Sequence, residues 1–301
     1  MASILKRARR PAFPLAGLYF EPETRKRLEG RTMILGLGAQ KAGSSWLFSR
    51  LAAAPEIAAP ALKEWHFFDC WLRPDLTADV SRIMAQNEAR IRARNPDGPR
   101  ARAHAARRAA LQRPAAYLEH FAAASAKPFM IDVSPEYALL DADDLENVAA
   151  YFRAAGVRLR PVFVMRDPVE RLFSYARALG AARGKDPARI FRAALKDPVV
   201  MARSRYETTL SALWSAFPRE EVAIGFYEHL TTDESALAAL ATQIGLAPPP
   251  AAPERRVNAS PEAALPQRDA AEARARLAPT YAFIKERLGA ETPASWGLSR
   301  S

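Results

Sequence analysis

The residues able to do chemistry fall in a few short blocks. The first is Gln40-Lys41-Ala42-Gly43-Ser44-Ser45-Trp46. A lysine beside small and hydroxylated residues suits a phosphate. Small side chains let backbone N–H groups face an anion, and a helix N-terminus adds partial positive charge. The lysine precedes the small residues, so the order is not that of GxxxxGK[ST]. A buried strand with a tight turn would give the same pattern. The second block is Lys63-Glu64-Trp65-His66-Phe67-Phe68-Asp69. Glu64 and His66 are two apart, so in an extended segment they point the same way. A carboxylate and an imidazole walled by aromatics would be desolvated and suited to proton transfer. A half-buried strand with a solvated polar face is the commoner origin of such alternation. The third block runs from Arg166 to Ser174. Asp167 can cap a helix, Pro168 can open it, and Glu170 can complete a capping box. Arg166 would then lie at a helix N-terminus, a position for a second anion, with Ser174 about two turns along. An arginine–carboxylate pair holding the turn is the alternative.

These blocks need elements to position them. Met33 to Gly38 reads as a buried strand, with a helix from Trp46 to Leu51 after the turn. Residues 127–133 read as a second strand. Asp132, Ser134 and Tyr137 lie near its C-terminal end, where ligands gather in doubly wound sheets. Residues 141–156 form a helix with Asp141 or Asp143 as cap and Gly156 as stop. Residues 160–165 and 222–227 are further strands, and helices are expected at 187–195, 206–217, 232–244 and 267–288. Alternation of four apolar strands with helices predicts an α/β protein, a three-layer fold with a central parallel sheet flanked by helices. Residues 70–127 form a helical, Arg-rich insertion, read as two helices around Asn95-Pro96-Asp97-Gly98-Pro99. Its arginines form either a solvated face or a basic wall that draws an anionic acceptor. Arg255 and Arg256, on a loop after a proline-rich stretch, suit a lid over a nucleotide or a solvated basic loop.

The chain has 301 residues, net charge +11 and a pI near 10.1, which favours an anionic partner. Nucleic acid, acidic glycans, a membrane surface and nucleotide phosphates all satisfy that charge. One cysteine, Cys70, permits no internal disulfide, and four histidines with one cysteine argue against structural zinc. The apolar part of the N-terminal stretch is short and broken by Pro11 and Pro14, which fits neither a membrane span nor a signal peptide. The expectation is a cytoplasmic protein with an N-terminal arm, residues 1–32, and one domain over 33–301.

Together the blocks resemble the PAPS-dependent sulfotransferases, especially the bacterial and heparan-type carbohydrate enzymes, whose fold is P-loop-like. Residues 40–46 look like that family's 5′-phosphosulfate loop. Arg166 and Ser174 match its 3′-phosphate pair, and residues 63–69 are similar to its acidic-His-Phe-Phe segment. Asp132 to Tyr137 looks like its Ser/Thr-Pro-x-Tyr block, and Arg255 to Ser260 is similar to a late cofactor loop. The resemblance implies a sulfotransferase using PAPS and releasing PAP. Lys41 would hold the phosphosulfate and stabilise charge on the bridging oxygen. Gln40, Gly43, the N–H groups of Ala42 to Ser45 and the hydroxyls of Ser44 and Ser45 would cradle the 5′ end. Trp46 would stack on adenine, with Tyr227 near the base. Arg166 and Ser174 would take the 3′-phosphate, with Arg255 and Arg256 closing over the nucleotide. Glu64 would be the general base, and His66 would orient it or share that role. Lys63, Asp132, Ser134 and Tyr137 would meet the acceptor, a carbohydrate or glycolipid by resemblance. The transfer is in line and needs no metal. Val133 stands where heparan-type enzymes often carry a lysine, and the cysteine pair of secreted animal members is missing. The expected partners are the acceptor and, peripherally, a membrane surface, with no stable nucleic-acid complex. Two other readings are an ATP-dependent P-loop kinase of a small molecule and a non-enzymatic binder of nucleic acid or acidic glycan.

Overall fold

The computed structural model describes residues 18–250 and 263–298. Its centre is β1 (Thr32–Gly38), buried at every position. A strand with neighbours on both edges and helices over the sheet must be apolar almost throughout. β1 pairs in parallel with β3 (Phe129–Val133) on one edge and with β4 (Arg158–Met165) on the other. A two-residue strand, β2 (Ile57–Ala58), flanks β3, and β5 (Ala223–Phe226) flanks β4. The sheet order is β2-β3-β1-β4-β5.

Helices connect the strands. α1 (Pro22–Leu28) precedes β1, and α2 (Ser44–Leu51) follows its turn. Between β2 and β3 come α3 (Phe67–Leu72), α4 (Pro74–Arg94), α5 (Pro99–Gln112) and α6 (Ala115–Ala124). α7 (Ala142–Ala154) joins β3 to β4. α8 (Pro168–Arg183), α9 (Pro187–Ala194), α10 (Pro198–Ala202) and α11 (Tyr206–Ala216) lead to β5. α12 (Tyr227–Leu230), α13 (Glu234–Gln243), α14 (Gln267–Arg276) and α15 (Ala278–Leu288) close the chain. This is the expected α/β fold, a parallel sheet flanked by helices.

Several local readings change. The 70–127 region carries a third helix after the Asn95–Pro99 turn, α6, whose Tyr117, Leu118 and Phe121 are buried. α2 starts at Ser44 rather than Trp46. Asp141 does cap α7, in a reciprocal box with Asp144. Asp167 caps α8 through the N–H groups of Val169 and Glu170, but Glu170 does not complete a box. The Asp167 N–H goes instead to Glu228 Oε1 at 2.9 Å, which ties α8 to α12 across the end of the sheet. The 63–69 block is not a strand: His66 is left-handed, and α3 begins at Phe67.

Beside the sheet lies an aromatic cluster of Trp65, Phe67, Phe68, Tyr117, Phe121, Tyr137, Tyr151 and Phe152, all buried. Phe67 stacks on Tyr117 at 4.7 Å between centroids, and Trp65 meets Tyr117 edge-on at 5.4 Å. Such contacts favour offset and edge geometries over eclipsed ones. Three of these rings belong to residues 65–68, so packing fixes the backbone that carries Glu64 and His66. Among the described residues no helix is long and apolar enough to cross a membrane.

Candidate active site

β1 has a parallel neighbour on each side, so the loops leaving β1, β3 and β4 emerge together at the C-terminal end of the sheet, where open α/β folds bind ligands. After β1 the chain turns sharply, with Lys41 at φ 68° and Gly43 at φ 82°. Gly43 is the N-cap of α2 and supplies no side-chain cap. The first N–H groups of α2 therefore have neither an intrahelical acceptor nor a cap. A Cβ at Gly43 would lie 2.6 Å from the Tyr227 ring, so glycine is required by contact as well as by φ. Ala42 departs from expectation. Its N–H is bonded to the Ala39 carbonyl at 3.0 Å, which leaves Gly43 to Trp46 to form the cradle.

Arg166 leaves β4 beside this turn. Its Nη1 approaches the Lys41 carbonyl at 3.4 Å, and its guanidinium lies over the Tyr227 ring at 4.9 Å. Tyr206 OH donates to the Arg166 carbonyl at 2.7 Å and fixes the backbone there. Tyr227 thus joins the β1 turn, β4 and α12. Ser174 is buried on α8, and Arg171 and Arg177 lie three residues either side of it, on one helical face. Burial lowers the Lys41 pKa, and Arg166, Arg177, Lys63 and Arg171 lower it further by repulsion. Burial also brings fully enclosed Arg171 down to about 10. Arg171 Nε and Nη1, Arg177 Nε and Gln40 Oε1 are buried without a hydrogen-bond partner. Repelling cations with spare donors beside an uncapped helix N-terminus fit a polyanion such as a nucleotide bisphosphate. Trp46 is half-buried next to this turn, with the Arg50 guanidinium 5.8 Å from its ring.

Across the turn stands the Glu64–His66 pair. Glu64 Oε2 lies 3.2 Å from His66 Nε2, and His66 Nδ1 lies 2.8 Å from Asp69 Oδ2. Glu136 Oε2 approaches the same Nδ1 at 3.8 Å, and Glu136 Oε1 accepts from Gln40 Nε2 at 3.0 Å. Arg203 Nε lies 3.8 Å from Glu136. Burial works against a charged imidazole, but Asp69, Glu64 and Glu136 outweigh it and hold the His66 pKa well above its ordinary value. For Glu64, burial acts to raise the pKa. The His66 bond and the Lys63 charge prevail and bring it down to about 2. These contacts favour an ionised Glu64 beside a protonated His66.

His66 has a left-handed backbone, φ 48°, which a non-glycine residue adopts only when its surroundings hold it. Asp132, Ser134 and Tyr137 do the holding. Asp132 Oδ1 accepts from Trp65 N–H at 3.3 Å and from Ser134 Oγ at 2.7 Å. Its Oδ2 accepts from Tyr137 OH at 2.7 Å and Tyr117 OH at 3.0 Å. Ser134 Oγ accepts from His66 N–H at 3.0 Å, and Tyr137 OH accepts from Phe67 N–H at 3.1 Å. These three residues, read from the sequence as meeting an acceptor, are sealed from solvent and hydrogen-bond the backbone of residues 65–67. Lys63 is likewise read from the sequence as meeting the acceptor. It sits at the turn, its Nζ 3.1 Å from Ser44 Oγ, 3.2 Å from Ser45 Oγ and 2.5 Å from Glu64 Oε1. Arg255 and Arg256 lie outside the described residues. Sequence reasoning missed Glu136, Arg171, Arg177 and Arg203 and gave Asp69 no role. The i, i+3 spacings of His66 with Asp69, and of Ser174 with Arg171 before it and Arg177 after it, were the available signals. Among the described residues no cluster of ligating side chains suits a metal ion.

Comparisons with known proteins bear on the family and the fold. A sulfotransferase from Alicyclobacillus acidocaldarius is structurally similar, with TM-score 0.59 and 18% identity over 88% of this chain and 98% of that one. The sulfotransferase domain of the Synechococcus PCC 7002 olefin synthase has TM-score 0.45 and 16% identity, over 82% of this chain and 94% of that one. The first likeness bears on the fold alone. A search of curated proteins finds no match. The model of the sulfotransferase family matches residues 34–250, from β1 through α13 and including both the cationic turn and the Glu64–His66 pair, and the chain belongs to that family.

Proposed function

We propose that this sulfotransferase moves a sulfonate group from PAPS to a hydroxyl or amine of a carbohydrate or glycolipid, in the cytoplasm. The supporting observation is the crowd of cations around Lys41, at the turn that opens an uncapped helix. Such a site calls for a ligand with several negative charges at two separated points. Arg166 and Ser174 would hold a 3′-phosphate, and Gly43 to Trp46 with Lys41 the 5′ end. Trp46 and Tyr227 offer rings for the base.

Bound there, PAPS supplies a sulfonate whose S–O bond to phosphate breaks as sulfur bonds the acceptor oxygen or nitrogen, leaving PAP. Lys41 neutralises charge at the phosphate oxygen that departs. Glu64 takes the acceptor's proton. His66, anchored by Asp69, keeps the carboxylate aimed and carries positive charge beside it. Fixed charges of this kind need no reorganisation during reaction, and positioning with charge stabilisation supplies most of the rate. The carbohydrate acceptor is argued from the resemblance of residues 63–69 and 132–137 to the heparan-type blocks.

The test is calorimetry with PAP. The native chain should bind with a Kd on the order of micromolar, and Lys41→Ala and Arg166→Ala should each weaken binding by about tenfold or more, as for lost charge-assisted bonds. Absence of native binding would overturn the proposal. Labelled PAPS then serves to screen glycans and glycolipids as acceptors.

A further inference from the structure

Glu64 at a pKa of about 2 is a poor acceptor for an alcohol's proton. Part of that weakness comes from Lys63, and the geometry of Lys63 shows how it can be relieved. An ammonium has three protons to donate, and here three oxygens surround it. Two are the hydroxyls of Ser44 and Ser45, on the first turn of α2. The third is Glu64 Oε1. The stem is anchored, because the Lys63 carbonyl accepts the Val133 N–H at 3.1 Å at the end of β3. Lys63 is therefore a short tether spanning the anion cradle and the base, with its side chain 18% exposed.

A donor whose 5′-phosphate sits on the first turn of α2 would carry its sulfonate beyond that phosphate, and those charged oxygens, unlike the neutral hydroxyls that Lys63 now meets, compete with Glu64 for the ammonium. Glu64 keeps His66 when Lys63 turns away. We propose that Lys63 is a shared cation, holding Glu64 while the donor site is empty and passing to the sulfonate end of PAPS when the donor binds. The carboxylate is thereby released for proton transfer only in the loaded enzyme. The inference depends on the PAPS assignment above and adds a role for Lys63 in donor recognition.

The test compares PAP with PAPS by calorimetry on the full chain, in acceptor-free buffer, because only PAPS carries the sulfonate. The native chain should prefer PAPS. Lys63→Met should keep its PAP affinity and lose about tenfold in PAPS affinity, the size of one charge-assisted hydrogen bond. Lys63→Arg should retain most of the preference. Glu64→Gln frees the lysine beforehand, so PAPS affinity should rise several-fold, and Lys63→Met/Glu64→Gln should abolish that gain in a double-mutant cycle. An unchanged PAPS preference in Lys63→Met overturns the proposal. So does an equal loss for PAP and PAPS, which would mark Lys63 as a structural support or a plain phosphate ligand. A native chain that binds neither nucleotide overturns the donor assignment itself, a result distinct from either of these.

Discussion

Four donors converge on the carboxylate of Asp132, which touches neither solvent nor the open side of the site. Burial raises its pKa from 3.8 to about 6 in spite of those donors. The folded chain binds the extra proton between these values, so this group's contribution to stability falls as pH rises from about 4 to about 6. Glu64 acts oppositely. Its pKa is depressed from 4.5 to about 2, so its contribution is present above 4.5 and is lost as pH falls towards 2. Asp132→Asn sets an amide N–H₂ against two of the four donors. Urea unfolding should show a loss of about 2–4 kcal/mol at neutral pH, since buried donors are stranded. The decline in stability between pH 4 and 6 should flatten as well. A variant as stable as the native chain would mean that the four bonds contribute nothing net.

At the scale of elements, the β1–α2 turn works because a helix begins with nothing capping it. Gly43→Ala puts a methyl group against Tyr227 at a positive φ. That side chain can be accommodated only by moving α2 or the ring that carries Arg166. PAP affinity should fall at least tenfold, while thermal unfolding shows a loss of about 1 kcal/mol or more. A Gly43→Ala protein with native PAP affinity would show that the cradle is not read through its backbone. The sequence announces this element well, because an apolar run, a lysine, small residues and an amphipathic helix all occur within residues 33–51. It also announces the Asp167–Pro168 helix start. It conceals β2, since two residues carry no period. It conceals the left-handed His66 too, because no glycine marks the position and the restraint comes from β3. For the same reason Asp132, Ser134 and Tyr137 look like ligand-facing groups. Position at a strand's end does not reveal on which side of a loop a polar side chain is enclosed.

On the scale of the whole molecule, the net charge of +11 exceeds what the site itself needs. Arg90, Arg92, Arg94 and Arg100 lie exposed around the α4–α5 turn, far along the chain from the cradle. A field of that sign should draw an anionic nucleotide from a distance and should be screened by salt. Stopped-flow association of PAP should slow by about tenfold between low and high ionic strength, with dissociation changed less. A rate insensitive to salt would confine the useful charge to the cradle.

The strand order also governs how the chain is made. β1 is the central strand, yet its partners β3 and β4 lie at residues 129–133 and 158–165, and Tyr227 comes later still. Ribosomes add roughly 5–20 residues per second, so an interval of roughly 10–40 s separates emergence of the most apolar strand from completion of the sheet beside it. During that interval Met33 to Leu37 have no ladder to join and present a sticky edge to any neighbouring chain. Yield on expression should therefore depend on translation outpacing aggregation, before the turn at Lys41 has its partners.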